Sequence, residues 1–326
     1  MPAAGGGTRL KPHTHTTPKV LLQVAGKPIL GHIMDLLAPL GPSEVIVVVG
    51  QQGDQIERYL RSSYRFRFSF ARQDLPQGLG HAVACAREQA EGHPTLVLLG
   101  DTIIDLDLRP IVAGGDAIGV REVENPRRFG VVEMKNGLVA RVVEKPVRPR
   151  SRLAIVGVYY FADSRPLFTA LGELIQNGRR TRGEYQLTDA LQLMIRHGSR
   201  MKTFTVQNWL DCGTPDALLE TNRYLLRRQL GAESSAEVKS VGSGWIVTIP
   251  PALIDPSAEI VDSIIGPDVS IGPRARIRSC IIRNSIVNQD AEIENAILEH
   301  SILGDAARLK GHPRRLNLGG ASEFTE

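Results

Sequence analysis

Between Ile265 and Leu309, aliphatic residues return every five or six positions: Ile265, Ile271, Ile277, Ile282, Val287, Ile293, Leu298, Leu303 and Leu309. An α-helix brings a side chain back to one face every 3.6 residues and a flat strand every 2, so neither keeps this period. A chain that turns a corner after each short strand does, stacking each aliphatic side chain on its equivalent one coil away. The repeating Ser263-Ile264-Ile265-Gly266-Pro267, Val269-Ser270-Ile271-Gly272-Pro273, Ser279-Cys280-Ile281, Ser285-Ile286-Val287 and Ser301-Ile302-Leu303-Gly304 fit that pattern. They predict a left-handed parallel β-helix over 245–312, after a small, polar linker at 231–244 and before a tail at 313–326. So short a stack has open ends and commonly serves subunit contact, so a homo-oligomer is expected through it. An acyltransferase site between coils is the sharper alternative; the few coils and the lack of a cofactor-binding extension argue against it.

The first 230 residues have a different rhythm. From Val45 to about Val206, apolar β-rich runs alternate with helical patterns, as in a mostly parallel sheet covered by helices. Val45 to Val49 reads as a buried strand ended by Gly50, and Thr95 to Leu99 as another ended by Gly100-Asp101. Gly80 to Ala90 has the composition of a packed helix, and Ile29 to Leu40 is amphipathic and stopped by Gly41-Pro42. The fold class is therefore α/β, a Rossmann-like domain over 1–230 with the β-helix appended. Ligands of such open sheets bind beyond the carboxyl ends of the strands, where Asp101 falls.

No apolar run is long enough to span a bilayer and the N-terminus lacks a signal pattern, so a cytoplasmic chain with no membrane partner is expected. Cys85, Cys212 and Cys280 are few and scattered, which suggests neither a disulfide framework nor a metal cluster. A formal net charge of +4 with dispersed basic residues favours an anion pocket over nucleic-acid binding.

Gly5-Gly6-Gly7-Thr8-Arg9-Leu10, followed by Pro18-Lys19, is the strongest chemical signal. Consecutive glycines let backbone N–H groups approach a polyphosphate, and Arg9 and Lys19 offer a planar fork and a mobile point charge for the same anion. With Lys11-Pro12, Thr14 and Val24-Ala25-Gly26-Lys27-Pro28-Ile29, this segment resembles the opening signature of the sugar-1-phosphate nucleotidylyltransferases. The resemblance covers nearly the whole chain and is closest to the long form of glucose-1-phosphate thymidylyltransferase. It implies Mg²⁺-dependent transfer of a nucleotidyl group from dTTP to glucose 1-phosphate with release of pyrophosphate. Family members open on a full apolar strand, whereas only Met1-Pro2-Ala3-Ala4 precedes the loop here. The expectation is that Met1 lies near the end of that strand, inside a longer reading frame.

Nucleotidyl transfer needs charge stabilisation at the α-phosphate, an in-line nucleophile and help for the departing pyrophosphate. Two carboxylates on different segments suit a Mg²⁺ bridging those oxygens. Asp101 and Asp211, the latter in Trp209-Leu210-Asp211-Cys212-Gly213-Thr214-Pro215, match the family's metal-binding aspartates. Outside that resemblance, Asp101 reads equally as a strand-end turn and Asp211 as a cap near Thr214-Pro215. The resemblance further implies that Gly5, Gly6, Gly7 and Thr8 cradle the nucleotide, with Arg9 on the α-phosphate and leaving group. It places Lys19 on phosphate from the side of the forming bond, and Lys145 on the sugar phosphate. Glu144 and Glu184 are expected on sugar hydroxyls, the backbone of Gly130 on the sugar, and Gln73 and Gly78 on the base. No covalent nucleophile is needed, because the sugar phosphate attacks directly. Gly78-Leu79-Gly80-His81-Ala82-Val83 is also similar to the loop of glucose-1-phosphate uridylyltransferases, so UTP is the alternative donor. A non-catalytic regulatory or scaffold subunit is the alternative of another class; the presence of Arg9, Lys19, Asp101, Lys145 and Asp211 argues against it.

Overall fold

The computed structural model describes residues 1–231, 235–241 and 244–311. They form two compact units, one of residues 1–22 and 27–217 and the other of 23–26 with 218 onward. The expected tail at 313–326 lies outside the described residues.

The first unit is built on strands β1 (Val45–Val49), β2 (Phe68–Arg72), β3 (Thr95–Leu98), β4 (Thr102–Asp105), β5 (Ala117–Glu122), β6 (Gly130–Lys135), β7 (Leu138–Glu144), β8 (Leu153–Phe161), β9 (Lys202–Thr205) and β10 (Asn208–Asp211). Its helices include α1 (Ile29–Leu37), α2 (Gly53–Ser63), α3 (Leu79–Ala84), α4 (Arg165–Gln176) and α5 (Leu187–Arg196). β1 and β2 pair in parallel, as do β5 and β9. β8 runs antiparallel between β3 and β5, so those two share a direction that β8 opposes. β6 and β7 form a hairpin that joins the sheet through β8. Val83, Ile118, Val120, Phe161, Phe168 and Leu191 are among the buried side chains that pack α3, α4 and α5 onto this sheet.

β8 is buried along its length, which explains its nearly unbroken apolar sequence. Its register slips between Ile155 and Tyr159, around Gly157 at φ +83°. A Cβ there would lie 2.6 Å from Leu99 Cδ1, so only glycine admits the Leu99 side chain. Leu99 N–H donates to Gly157 O at 3.1 Å, and the chain leaves β3 through Gly100 into Asp101. The bulge thus sets where that carboxylate begins.

Two expected helices are shorter than read. The Ile29–Leu40 pattern closes as α1 followed by a 3₁₀ turn at Ala38–Leu40, with Gly41 left-handed at φ +54°. Gly80–Ala90 divides into α3 and a separate turn at Arg87–Ala90, because Ala86 N–H closes back on Val83 O at 3.0 Å.

Residues 1–3 lie against β1. Val48 N–H donates to Met1 O at 2.8 Å, Ala3 N–H to Val48 O at 2.7 Å, and Gly100 N–H to Pro2 O at 2.9 Å. The Met1 ammonium donates to Ile46 O at 2.6 Å, and burial lowers its pKa to about 5. Beside it lies a cavity of about 760 Å³ lined by Leu37, Ile46, Val48, Leu96, Leu98 and Phe168, among others. Among the described residues, β3 pairs with β8 alone, so its other edge faces this space.

The second unit is a parallel β-solenoid. The nine aliphatic residues resolve into three inward columns: Ile265–Ile282–Leu298, Ile271–Val287–Leu303 and Ile277–Ile293–Leu309. Its corners are left-handed residues such as Asp262, Asp268, Asn284, Asp290 and Asn295, whose short polar side chains tolerate φ > 0. The three faces differ. One carries charge ladders, Arg276–Glu292–Arg308 and Arg278–Glu294–Lys310. The second is fixed by Asn222, whose Oδ1 accepts from Ser270 Oγ and Ala25 N, both at 2.8 Å, and by a bidentate Arg227–Asp268 pair. The third presents an outward apolar column, Val238–Val247–Ile264–Ile281–Ile297, with Ile297 79% and Val238 72% exposed.

The stretch expected as a linker at 231–244 is in part a strand. Glu237–Val241 forms an antiparallel strand on Gly244–Thr248, which pairs in parallel with Ser263–Ile265, so this stretch extends the solenoid. Val238 and Val247 supply the β-forming residues beneath the polar composition. Residues 232–234 and 242–243 lie outside the described residues. The division between units also falls earlier than 230, inside the helix Pro215–Leu230.

Candidate active site

The Gly-rich loop folds as three short 3₁₀ turns: Thr8–Leu10, His13–His15 and Lys19–Leu21. Gly7 is left-handed at φ +57°, and its carbonyl accepts from Thr14 Oγ1 at 2.8 Å. A Cβ on Gly7 would meet Thr14 Cγ2 at 2.8 Å and Lys19 Cβ at 3.1 Å, so this glycine brings the loop against Lys19. Gly5, Gly6, Thr8 and Arg9 are exposed, and nothing approaches the open side of Gly5 or Gly6 within 4 Å.

Lys19 is buried, with 8% of its side chain exposed, and forms an ion pair with Asp101 Oδ2. Asp101 is also bonded by Thr102 Oγ1 at 3.3 Å. β10 pairs antiparallel with β4, setting Asp211 opposite Thr102, and Cys212 N–H donates to Asp101 O at 3.1 Å. The two carboxylates, far apart in sequence, thereby meet. Burial first, and then the negative charge of Asp101, raise the Asp211 carboxyl's pKa; Lys19, Arg9 and Arg128 oppose that shift. Arg9 stands beside them: a Cβ on Gly213 would lie 2.7 Å from its Nη2 and 3.1 Å from Asp211 Oδ1. Asp211 is not the cap of the following helix. That role falls to Thr214, whose Oγ1 accepts from Ala217 N–H at 3.3 Å.

The geometry fits a hard divalent cation. Two carboxylates held close enough to repel, flanked by the Lys19 ammonium and the Arg9 guanidinium, would suit Mg²⁺, which takes one or two protein carboxylates. Among the described residues no group of three or more His, Cys, Asp or Glu offers the denser donor set of a zinc site. The three cysteines are free.

A second cluster lies at the β6–β7 hairpin. Gly130 pairs with Glu144 in register, and a Cβ on Gly130 would meet Thr188 Cγ2 at 2.7 Å. Glu144 accepts from Thr188 Oγ1 at 3.0 Å and lies 3.3 Å from Lys145 Nζ. Burial, then Glu144, push the Tyr159 phenol's pKa up. Lys145 adopts φ +40° and Arg182 donates to its carbonyl at 3.0 Å. A lysine so placed is strained, and such strain concentrates at functional sites. Glu184 is exposed in the Thr181–Glu184 turn and does not cap α5; its Oε2 accepts from Gln186 Nε2 at 3.1 Å.

Gln73 and Gly78 are in contact, Gln73 Nε2 donating to Gly78 O at 3.1 Å. Gly78 is at φ +102°, and a Cβ there would lie 2.7 Å from Glu184 Cβ and 2.8 Å from Tyr185 O. This third cluster therefore abuts the second. Gly78→Ala is expected to cost about 2 kcal/mol or more and to raise the nucleotide KM at least about tenfold, read by thermal unfolding and a nucleotide titration. Phe129, next to Gly130, packs edge-on against Trp209 at 4.9 Å, two residues before Asp211, and ties the hairpin to the aspartates.

The structure thus joins Gly7, Arg9, Lys19, Asp101 and Asp211 in one cluster, Gly130, Glu144 and Lys145 in another, and Glu184 with Gln73 and Gly78. Sequence reasoning passed over Arg128, Thr188, Arg182 and His81. Arg128 and Arg182 stand within two residues of positions singled out (Gly130 and Glu184), but their part depends on contacts across the sheet.

The model of the nucleotidyl transferase family matches residues 3–228. The low-salt glycan biosynthesis nucleotidyltransferase Agl11 of Haloferax volcanii is 31% identical over 99% of this chain and 94% of its own. A glucose-1-phosphate thymidylyltransferase of Streptomyces antibioticus is 31% identical over 93% and 90%. Among solved structures, a UDP-glucose pyrophosphorylase complexed with UDP-glucose is similar at a TM-score of 0.61 and 25% identity, covering 70% of this chain and 97% of that one. With its α/β domain, paired aspartates and glycine-rich loop, the chain belongs to the nucleotidyl transferase family, among the sugar-1-phosphate nucleotidyltransferases.

Proposed function

We propose that this protein transfers a thymidylyl group from dTTP to glucose 1-phosphate, giving dTDP-glucose and pyrophosphate. The observation that carries the reading is the meeting of Asp101 and Asp211 beside Lys19 and Arg9. An anionic nucleophile, an α-phosphate and a departing pyrophosphate all need charge neutralised at one point. Asp101 and Asp211 would hold Mg²⁺, which when bound supplies Lewis-acid neutralisation of phosphate charge. A phosphate oxygen of the sugar phosphate attacks the α-phosphorus, and the bond to the bridging oxygen of pyrophosphate breaks in line. Arg9 takes the charge growing on the α-phosphate and leaving group, with the backbone of Gly5, Gly6, Gly7 and Thr8 along the triphosphate. Lys19 holds phosphate at the forming bond. Lys145 fixes the sugar phosphate, Glu144 and Glu184 accept from sugar hydroxyls, and Gly130 gives the sugar close backbone contact. Gln73 and Gly78 face the base.

UTP is the second donor to consider, supported by the similarity to a UDP-glucose pyrophosphorylase. Thymine and uracil differ by one methyl, worth about 1–3 kcal/mol in an apolar pocket. Pyrophosphate release with Mg²⁺ and glucose 1-phosphate, compared across dTTP, UTP, CTP, ATP and GTP, tests the reading. Turnover with dTTP above the others is the expected result, and silence with all five would favour a scaffold subunit. The outward apolar column of the solenoid supports a homo-oligomer, which a monomeric mass in solution would refute. No helix among the described residues is long and apolar enough to cross a membrane.

A further inference from the structure

The Gln73 amide is held by two acceptors. Its Nε2 donates to Gly78 O at 3.1 Å and lies 3.0 Å from His81 Nδ1. A carbonyl oxygen can only accept, so the atom facing Gly78 is the NH₂ and not the Oε1. With one NH₂ proton on Gly78, the other reaches His81 only if Nδ1 carries a lone pair, which fixes the imidazole as the neutral Nε2–H tautomer. Burial first, and then the Arg180 guanidinium, lower the His81 pKa and favour that neutral form. The ring is held in place: it stacks on Tyr185 at 6.4 Å and 26°, and Cys85 Sγ lies 3.8 Å from Nδ1. Arg180 lies 4.6 Å over the same Tyr185 ring and donates to Gln77 Oε1 at 2.9 Å, while Tyr185 N–H donates to Gln77 O at 2.9 Å. Both donor protons of Gln73 are therefore used within the protein, and among the described residues none bonds its Oε1.

We infer that His81 is a positioning residue for base selection: with Gly78 it locks the Gln73 amide so that only an acceptor faces the nucleobase. Such an amide accepts from the N3–H of a pyrimidine-2,4-dione, that is thymine or uracil. Cytosine presents a lone pair at N3, and two acceptors would then oppose each other. The lock thus selects the oxo bases as a class and leaves the thymine–uracil choice to the pocket around the methyl. This role rests on the nucleotidyl-transfer reading and deepens it.

The test compares wild-type protein with His81→Leu, which removes the acceptor, and His81→Asn, which can set Oδ1 where Nδ1 stands. Equilibrium binding of dTTP, UTP and CTP is measured by calorimetry, with thermal unfolding as a control on folding and kcat read at saturating dTTP. Wild type and His81→Asn are expected to prefer dTTP and UTP over CTP. In His81→Leu that preference falls about 10- to 100-fold through weaker binding of the oxo bases, with kcat little changed. A ratio unmoved in His81→Leu, or lost equally in His81→Asn, overturns the inference. Absence of pyrophosphate release with every triphosphate defeats the functional reading instead; turnover with an unmoved ratio defeats only the role of His81.

Discussion

Asp101→Asn and Asp211→Asn should each lower kcat by about a thousandfold or more while moving the stability of the metal-free protein in opposite directions. The activity loss follows from removing one of two oxygen donors placed where charge develops, an effect commonly worth 10²–10³ or more. The stability difference follows from their surroundings. Asp101 is the ion-pair partner of Lys19, which is only 8% exposed, so neutralising Asp101 weakens the compensation of a buried ammonium. Asp211 is disfavoured as an anion by burial and by Asp101, so its neutral isostere relieves a cost. The sign is fixed by linkage. A carboxyl whose folded pKa is raised stabilises the fold when protonated, and this contribution is lost as pH rises through the folded pKa. At neutral pH, Asp211→Asn should therefore raise the thermal midpoint and remove that pH dependence, whereas Asp101→Asn should lower the midpoint. Equal destabilisation by both would show that the pair is an ordinary structural element.

Arg9 and Lys19 were legible as candidates because they flank a glycine-rich run suited to an anion, whereas Asp101, Lys145 and Asp211 were singled out through the family resemblance of the runs that hold them. Their assembly was not legible. Asp101 and Asp211 are brought together by β4–β10 pairing, and the turn into Asp101 depends on a bulge at Gly157, far along the chain. Glu184 and Gly78 abut through the Tyr185 backbone, a contact absent from either motif alone. His81 lies inside the Gly78–Val83 segment, yet only its 3.0 Å distance to Gln73 Nε2 ties it to that amide.

The solenoid is the opposite case. Its period fixed the inward columns, since each coil needs only its neighbour and the register follows from spacing. The same spacing left the outer faces undetermined, because outward residues carry no packing constraint. Thus the polar run before Ser263 read as a linker, while tertiary pairing made Glu237–Val241 a strand. Sequence alone determined the elements whose contacts are local or periodic: the coils, the strand runs and the glycine-rich loop. Tertiary structure decided which carboxylates face each other, which glycines admit a neighbour and which amide proton is already spent, because those depend on distances between segments that no local pattern encodes.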